Sequence, residues 1–203
     1  MSDRWIPFDV AGCDPDPFVQ FRKWFDEASL AMHEREAIAL VTSTPDGRPS
    51  ARMVLLRHVG EDSFGWFTNY ESRKGHDLEA NPHAALLWYC EPLGRQIRIE
   101  GTVTKMSVAE SDAYFNARDR GHQIGAHASH QSAPLASRQV LEDRVRQVEA
   151  QFAGRDVPRP AYWGGFHLTP NFFEFWQHRQ DRLHDRVFYT PAAPGWLRQR
   201  HSP

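Results

Sequence analysis

Cysteine is nearly absent from this chain: Cys13 and Cys90 are the only two in 203 residues. Two are too few for a disulfide framework or a thiolate metal centre. An excess of charge of one sign is also missing. Lys and Arg number 24 against 26 Asp and Glu, a formal net charge of −2. No general basic field therefore invites nucleic acid or an anionic membrane surface, and any anion site must be local. No apolar run has bilayer-spanning length, and the opening MSDRWIPFDV lacks a signal-peptide core. The expectation is a cytoplasmic protein with neither membrane nor nucleic-acid partners. Glycine-rich nucleotide loops, a G-x-S-x-G elbow, an H-E-x-x-H helix and a cysteine-nucleophile context are absent too, which removes the main support for Rossmann, P-loop, serine-hydrolase and zinc-protease readings. His122, His127 and His130 have no Cys, Asp or Glu among them and no regular spacing, so no metal is expected.

What is present is a soluble globular composition, 40% hydrophobic and 25% charged, with seven Trp. The length suits one domain: an irregular arm over 1–15, then a single domain over 16–203. Asp16-Pro17 opens a helix whose Phe18, Phe21, Phe25, Ala28 and Met32 recur at helical spacing. Strands are predicted over 37–44 and 50–59, joined by the turn Pro45-Asp46-Gly47, and over 64–69. Ser72 caps a short helix ending near Asn81-Pro82. Residues 83–90 read as a strand buried on both faces, and 96–104 as an alternating one with Ile97, Ile99, Gly101 and Val103 inward. Ser107 to Glu110 has the form of a capping box, opening a helix to about Arg118. A polar segment over 119–134 and a helix over 137–152 follow. Strands are expected over 162–168, 172–177 and 182–189, with a possible last one over 196–200. Successive strands with short turns indicate α+β with an antiparallel sheet, closed into a small barrel.

Three constellations bear on chemistry. Arg52 and Arg57, then Phe67-Thr68, then Ser72-Arg73-Lys74 gather cations and a hydroxyl at a helix start. A helix N-terminus favours anions and disfavours cations. The pair Arg73-Lys74 is therefore either a phosphate site or a solvated basic pair. Arg52 and Arg57 are an odd number of residues apart, so on a regular strand they face opposite sides. Tyr114, Arg118 and His122 follow at spacing four, with Gln131-Ser132 beyond. Last, the strand over 182–189 puts Arg182, His184 and Arg186 on one face and Leu183 and Val187 on the other. That row suits a flat anionic ligand, or equally a solvated sheet face.

With these residues in view, the chain resembles the pyridoxamine/pyridoxine 5′-phosphate oxidase family. The resemblance runs from about Asp16 to Pro203, through Arg52-x-Val-Leu-Leu, Phe67-Thr-Asn-Tyr-x-Ser-Arg-Lys74, Arg95-Gln96, Tyr114-Phe115, Gln123-Ile-Gly-Ala126, Ser129-x-Gln-Ser132, Trp163-Gly-Gly165, Glu174-Phe-Trp-Gln177 and Arg182-Leu-His-Asp-Arg186. It implies an FMN-binding split β-barrel, dimeric, with peripheral helices. It assigns the FMN phosphate to Arg52, Ser72, Arg73 and Lys74, and the rest of the flavin to Phe67, Thr68, Gln96, Gln131, Ser132, Trp176 and Arg186, drawn from both subunits. Arg57, Tyr114, Arg118 and His122 then hold the substrate phosphate, and Arg182 and His184 lie over the pyridine ring as the catalytic pair. The implied reaction turns pyridoxine or pyridoxamine 5′-phosphate into pyridoxal 5′-phosphate with O2 as acceptor. The departures fall on the substrate side. The family usually has Lys at Arg57, Ser at His122 and a Gly after Trp-Gln where this chain has His178-Arg179, and its N-terminal Arg/Tyr element is not found. These leave two alternatives open: an FMN-dependent oxidase of another substrate, like the phenazine-pathway relatives, and a non-catalytic flavin- or pyridoxal-phosphate-binding protein.

Overall fold

A computed structural model describes residues 6–203; the first five residues of the expected arm lie outside this range. Residues 6–15 are irregular but anchored. Phe8 and Cys13 are buried, and Tyr189 Oη and Arg198 Nη1 donate to the carbonyls of Asp14 and Cys13, both at 2.7 Å. Helix α1 (Pro17–Glu27) starts as its sequence demands, Asp16 accepting from the Phe18 amide with proline at the first position. Its buried Phe18, Phe21, Trp24 and Phe25 fill the barrel interior.

The strands are β1 (Ala37–Ser43), β2 (Pro49–Leu55), β3 (His58–Val59), β4 (Phe64–Asn69), β5 (His83–Cys90), β6 (Arg95–Lys105), β7 (Trp163–Gln177), β8 (Asp185–Pro191) and β9 (Trp196–His201). They form one antiparallel sheet in the order β2-β1-β5-β6-β7-β4-β3, with β8 paired to β7 and β9 paired to β8. The expected strand over 50–59 is in fact two. The Leu56 amide still donates to Glu36 O beside β1 (2.8 Å), but the Arg57 amide turns to Gly65 O on β4 (2.8 Å). One stretch of chain thus leaves the first strand of the order and joins the last, curling the sheet into a barrel. Between β2 and β4 no ladder forms, and there the barrel is split.

Other boundaries also moved. β7 is one strand where two were expected, because a bulge between Glu100 and Gly101 sets Gly101 opposite Pro170. A Cβ on Gly101 would stand 2.2 Å from Thr169 O, so only glycine lets β6 pass the proline. β5 is buried on one face rather than two: Ala84, Leu86, Trp88 and Cys90 are inside, while Tyr89 is 47% exposed. The other sheet face runs Met53–Ala39–Leu87–Arg98–Glu174–Phe188 by strand register. On it Met53 and Leu55 are 62% and 41% exposed.

Helices α2 (Arg73–Ala80), α3 (Val108–Asn116), α4 (Arg120–Ala128) and α5 (Arg138–Gln151) lie outside the barrel. The Ser107/Glu110 capping box is formed, but α3 stops at Asn116, short of Arg118. The polar segment after it contains α4, which was not expected. Val145 and Val148 of α5, with Phe152 at its C-cap, pack against a second small core of Phe115, Ile124, Val157 and Trp163, although no α5 residue is fully buried. The expected strand over 182–189 starts only at Asp185. Residues Gln180–Arg182 form a 3-10 turn with Asp181 and Arg182 at positive φ, 56° and 61°. Arg182 and His184 therefore do not share a strand face with Arg186.

Candidate active site

The split between β2 and β4 opens into a cavity of about 850 Å³, and most of the expected site residues line it. Its floor begins at α2. After Asn69, the Ser72 hydroxyl donates to Asn69 O (2.7 Å) and accepts from the Gly75 amide, capping the helix. The helix opens on Arg73-Lys74 with no acid in its first turn. Lys74 is only 9% exposed. Its Nζ donates to Thr68 Oγ1 (2.9 Å), Ser72 Oγ (3.2 Å) and Gln131 Oε1 (2.6 Å), neutral oxygens that leave its charge uncompensated. Burial first, and the nearby Arg52 guanidinium second, pull its pKa down to about 8. Ser132, held at φ 71°, accepts the Arg73 amide at 3.3 Å.

Arg52 reaches the same place from β2. Its Nη1 donates to Thr42 Oγ1 (2.8 Å) and Leu40 O (3.2 Å), its Nη2 to Ser50 Oγ (2.7 Å), and Asp77 Oδ2 lies 3.7 Å away. Arg57 also lines the cavity. Strand parity had put the two arginines on opposite faces, but the break after Leu55 removes the alternation. Three cations, Arg52, Arg73 and Lys74, thus converge at a helix N-terminus, an arrangement an anion stabilises. The solvated-pair reading fails for Lys74, which is buried.

A pH dependence follows. Without an anion, the cost of charging Lys74 is fully present below about pH 8 and is relieved as pH rises toward its ordinary value of 10.5. A phosphate beside it raises its pKa again. On the expectation that the phosphate of FMN is the anion held here, its binding to apoprotein at about pH 9 takes up close to one proton, and at about pH 6.5 almost none through Lys74. The phosphate's own second ionisation, near 6, is complete at the higher pH. Calorimetric titration in buffers of different ionisation heat checks this; a heat independent of buffer at pH 9 contradicts it.

Gly75 holds the helix start in place. A Cβ there would stand 1.8 Å from the Tyr70 carbonyl oxygen. Helix propensity alone favours Gly75→Ala by about 1 kcal/mol, but overpacking against backbone costs about 1–3 kcal/mol or more. The expected result is a lower urea midpoint together with weaker binding of an anion at the helix start. An unchanged midpoint would show that α2 is free to shift.

The other wall is aromatic. Phe67 and Tyr114 stack at 3.7 Å with planes 3° apart, and Trp163 continues the stack 5.7 Å from Phe67. The Arg118 guanidinium lies 4.6 Å from the Trp163 ring centre. Its Nη1 is buried and has no hydrogen-bond partner among the described residues, and burial lowers its pKa. An orphaned guanidinium nitrogen is costly and fits an anion. His122 stands one turn further on, exposed at the start of α4, with Asp119 Oδ2 3.9 Å from its Nδ1. Trp163 was not singled out as a site residue. The signal was the Trp-Gly-Gly run: a Cβ on Gly164 would meet Tyr70 Oη at 2.2 Å and one on Gly165 would meet Met106 Sδ at 2.1 Å, so these glycines let Tyr70 and Met106 approach β7 beside Trp163. His127 binds Pro158 O (2.7 Å), and among the described residues no three His, Cys, Asp or Glu are arranged to hold a metal.

The remaining expected residues are not in the cavity. Gln96, Trp176 and Arg186 are cross-strand neighbours on β6, β7 and β8, on the sheet face that carries Met53. Arg186 Nε donates to the buried Glu174 (2.6 Å) and Nη1 to Ser202 O (2.9 Å). His184 packs on Trp176, ring centres 4.5 Å apart. Within one chain, the site is in two groups.

Residues 25–152 match the family described as pyridoxamine 5′-phosphate oxidase. The chain belongs to that family. Residues 163–203 match the family's C-terminal dimerisation region. The pyridoxine/pyridoxamine 5′-phosphate oxidase of Rubrobacter xylanophilus is 53% identical over 193 residues, 95% of this chain and 89% of that one. The protein of the same name from Nostoc sp. is 51% identical over 192 residues, 94% and 90% of the two chains. Among solved structures, PhzG of Burkholderia lata in complex with tetrahydrophenazine-1-carboxylic acid superposes with a TM-score of 0.91 at 29% identity, covering 98% of this chain and 100% of that one. A pyridoxamine 5′-phosphate oxidase-related, FMN-binding protein of Nostoc punctiforme, at TM-score 0.74 and 17% identity over 92% and 98% of the two chains, shares the fold.

Proposed function

We propose that this protein is an FMN-dependent oxidase. It converts pyridoxine 5′-phosphate or pyridoxamine 5′-phosphate to pyridoxal 5′-phosphate, with O2 as electron acceptor, and works as a homodimer. The observation that carries the reading is the pairing of two anion sites in one cavity: the Arg52/Arg73/Lys74 cluster at the α2 start and the orphaned Arg118 beside the aromatic wall, with Arg57 and His122 also on the lining. One suits the phosphate of FMN and the other that of the substrate. FMN, when bound, supplies the two-electron chemistry between the substrate carbon and oxygen.

The chain's own part is placement and electrostatics. Ser72, Arg73, Lys74 and Arg52 hold the cofactor phosphate, and Phe67, Thr68, Gln131 and Ser132 line the flavin. Tyr114, Arg118, Arg57 and His122 fix the substrate phosphate. Gln96, Trp176 and Arg186 reach the flavin, and Arg182 and His184 the pyridine ring, from the second subunit. The exposed Met53 and Leu55 lie on the face those residues share, and its burial between two chains would bring the groups together.

The test is direct. Purified protein should show flavin absorbance at one FMN per chain, scatter light as a dimer, and yield pyridoxal 5′-phosphate when pyridoxine 5′-phosphate is added in air. A yellow dimer inert toward both phosphorylated substrates would overturn the oxidase assignment. A second reading, oxidation of a carboxylate-bearing ring on the same flavin, draws on Arg57 and His122 and on the ligand in PhzG. Turnover of a tetrahydrophenazine carboxylate in place of the pyridines would favour it, and FMN binding without any turnover would leave a binding protein.

A further inference from the structure

The connector between β7 and β8 folds back so that three rings meet. His184 lies 4.5 Å from Trp176 and 5.1 Å from His178, and Trp176 lies 5.8 Å from His178. The backbone amide of Arg179 donates to His184 Nδ1 at 3.1 Å. We propose that His178 is a positioning residue for His184, and that the 178–184 connector holds the His184 ring neutral, with its proton on Nε2. The inference rests on the reading of His184 as a substrate-facing group.

The hydrogen bond sets the tautomer. An amide N–H can only donate, so Nδ1 must present its lone pair, and a neutral imidazole then carries its single proton on Nε2. Adding a proton at Nδ1 would turn the contact into two opposed N–H groups. The surroundings resist that charge as well. Trp176 and His178 pack against the ring, and His178 and Arg182 oppose a positive charge on it. Among the described residues, Asp185 is the neighbour that favours the charge. Its carboxylate already faces Arg179 Nε at 3.5 Å and Arg200 Nη2 at 3.4 Å, and accepts the Phe8 amide at 3.1 Å. Burial, then His178, then Arg182 lower the His184 pKa despite Asp185.

Two consequences follow for the site. His184 meets a substrate oxygen as a hydrogen-bond donor through Nε2, with its charged form disfavoured. The positive charge available at the pyridine ring comes from Arg182 alone of this pair. His178, which touches neither cofactor nor substrate in this reading, acts through the ring it packs against.

FMN-loaded protein with isotope-labelled histidine tests this by long-range 1H–15N correlation. The expected spectrum shows His184 Nδ1 unprotonated and Nε2 protonated, with a titration midpoint below the ordinary value of about 6.5. His178→Ala should raise that midpoint by about half a unit or more, and shift the acid limb of the kcat/KM profile in the same direction, with FMN affinity unchanged. His178→Gln, similar in size but without an ionisable ring, should move the midpoint the same way, which guards against a folding defect in the alanine variant. A protonated Nδ1 in the wild type, or a midpoint unmoved in both variants, overturns the proposal. The spectrum reads the ring whether or not the enzyme turns over. Failure of the oxidase reading would appear as absent product with the tautomer intact, so the two failures are separable.

Discussion

Replacing Arg118 with alanine is expected to lower kcat/KM for pyridoxine 5′-phosphate by roughly 30- to 1000-fold, a loss of about 2–4 kcal/mol. FMN affinity should stay within about threefold. The guanidinium sits over Trp163 with one buried nitrogen that has no partner among the described residues. A purely structural arginine would not be left so. Its removal from the unliganded protein should therefore change the urea midpoint little, or raise it, because an uncompensated buried donor disappears. Arg118→Lys keeps the charge but loses the planar fork, and should fall between wild type and alanine. The decisive pattern is lost catalysis with retained stability, read by steady-state kinetics and denaturation on the same preparations. Wild-type kcat/KM in Arg118→Ala would remove the residue from the substrate site.

Arg52→Ala should act on both stability and cofactor. The side chain ties β2 to Thr42, Leu40 O and Ser50, and stands beside Asp77, which is 6% exposed. Its loss leaves Asp77 with the Thr42 hydroxyl at 2.6 Å and, among the described residues, no ion-pair partner. A stranded buried charge of this kind costs about 3 kcal/mol. FMN should bind roughly 10- to 150-fold more weakly, one charged contact to the phosphate having gone. A third readout separates this from general damage. Arg52 is one of the two causes holding the Lys74 pKa down, so in Arg52→Ala the proton taken up by Lys74 on FMN binding should appear at higher pH. Unchanged FMN affinity in a folded variant would mean that α2 holds the phosphate without β2.

The residues that announced the fold were those with local chemistry. Asp16-Pro17, Ser72 and Ser107/Glu110 are capped helix starts, and each forms as read. Gly47 takes the positive φ its turn requires, 85°. What stayed hidden depended on partners distant in sequence. α4 carries Gly121 and Gly125 and buries only Ile124 and Ala128, too little periodicity to stand out. Strands over 162–168 and 172–177 were expected apart, because the bulge that carries β7 through Pro170 is made by Gly101 on another strand. Asp181 and Arg182 adopt left-handed backbone without a glycine to signal it, so the row of Arg182, His184 and Arg186 seemed one strand face. In the site, the α2 cluster was legible because its members are neighbours in the chain. That Arg57 joins Arg52 was not, since the strand break between them is imposed by pairing to β4.

The separation of the site into two groups on one chain has a genetic consequence. If each cavity is completed by the partner's β7–β8 connector, Arg118→Ala and His184→Ala damage opposite contributions to it. In a mixed dimer of the two variants, one cavity would carry both lesions and the other neither. Refolded together in equal amounts, two nearly inactive proteins should recover about a quarter of wild-type activity, since about half the dimers are mixed and each has one sound site. Two alleles of this gene, each defective alone, would then restore one another in the same cell.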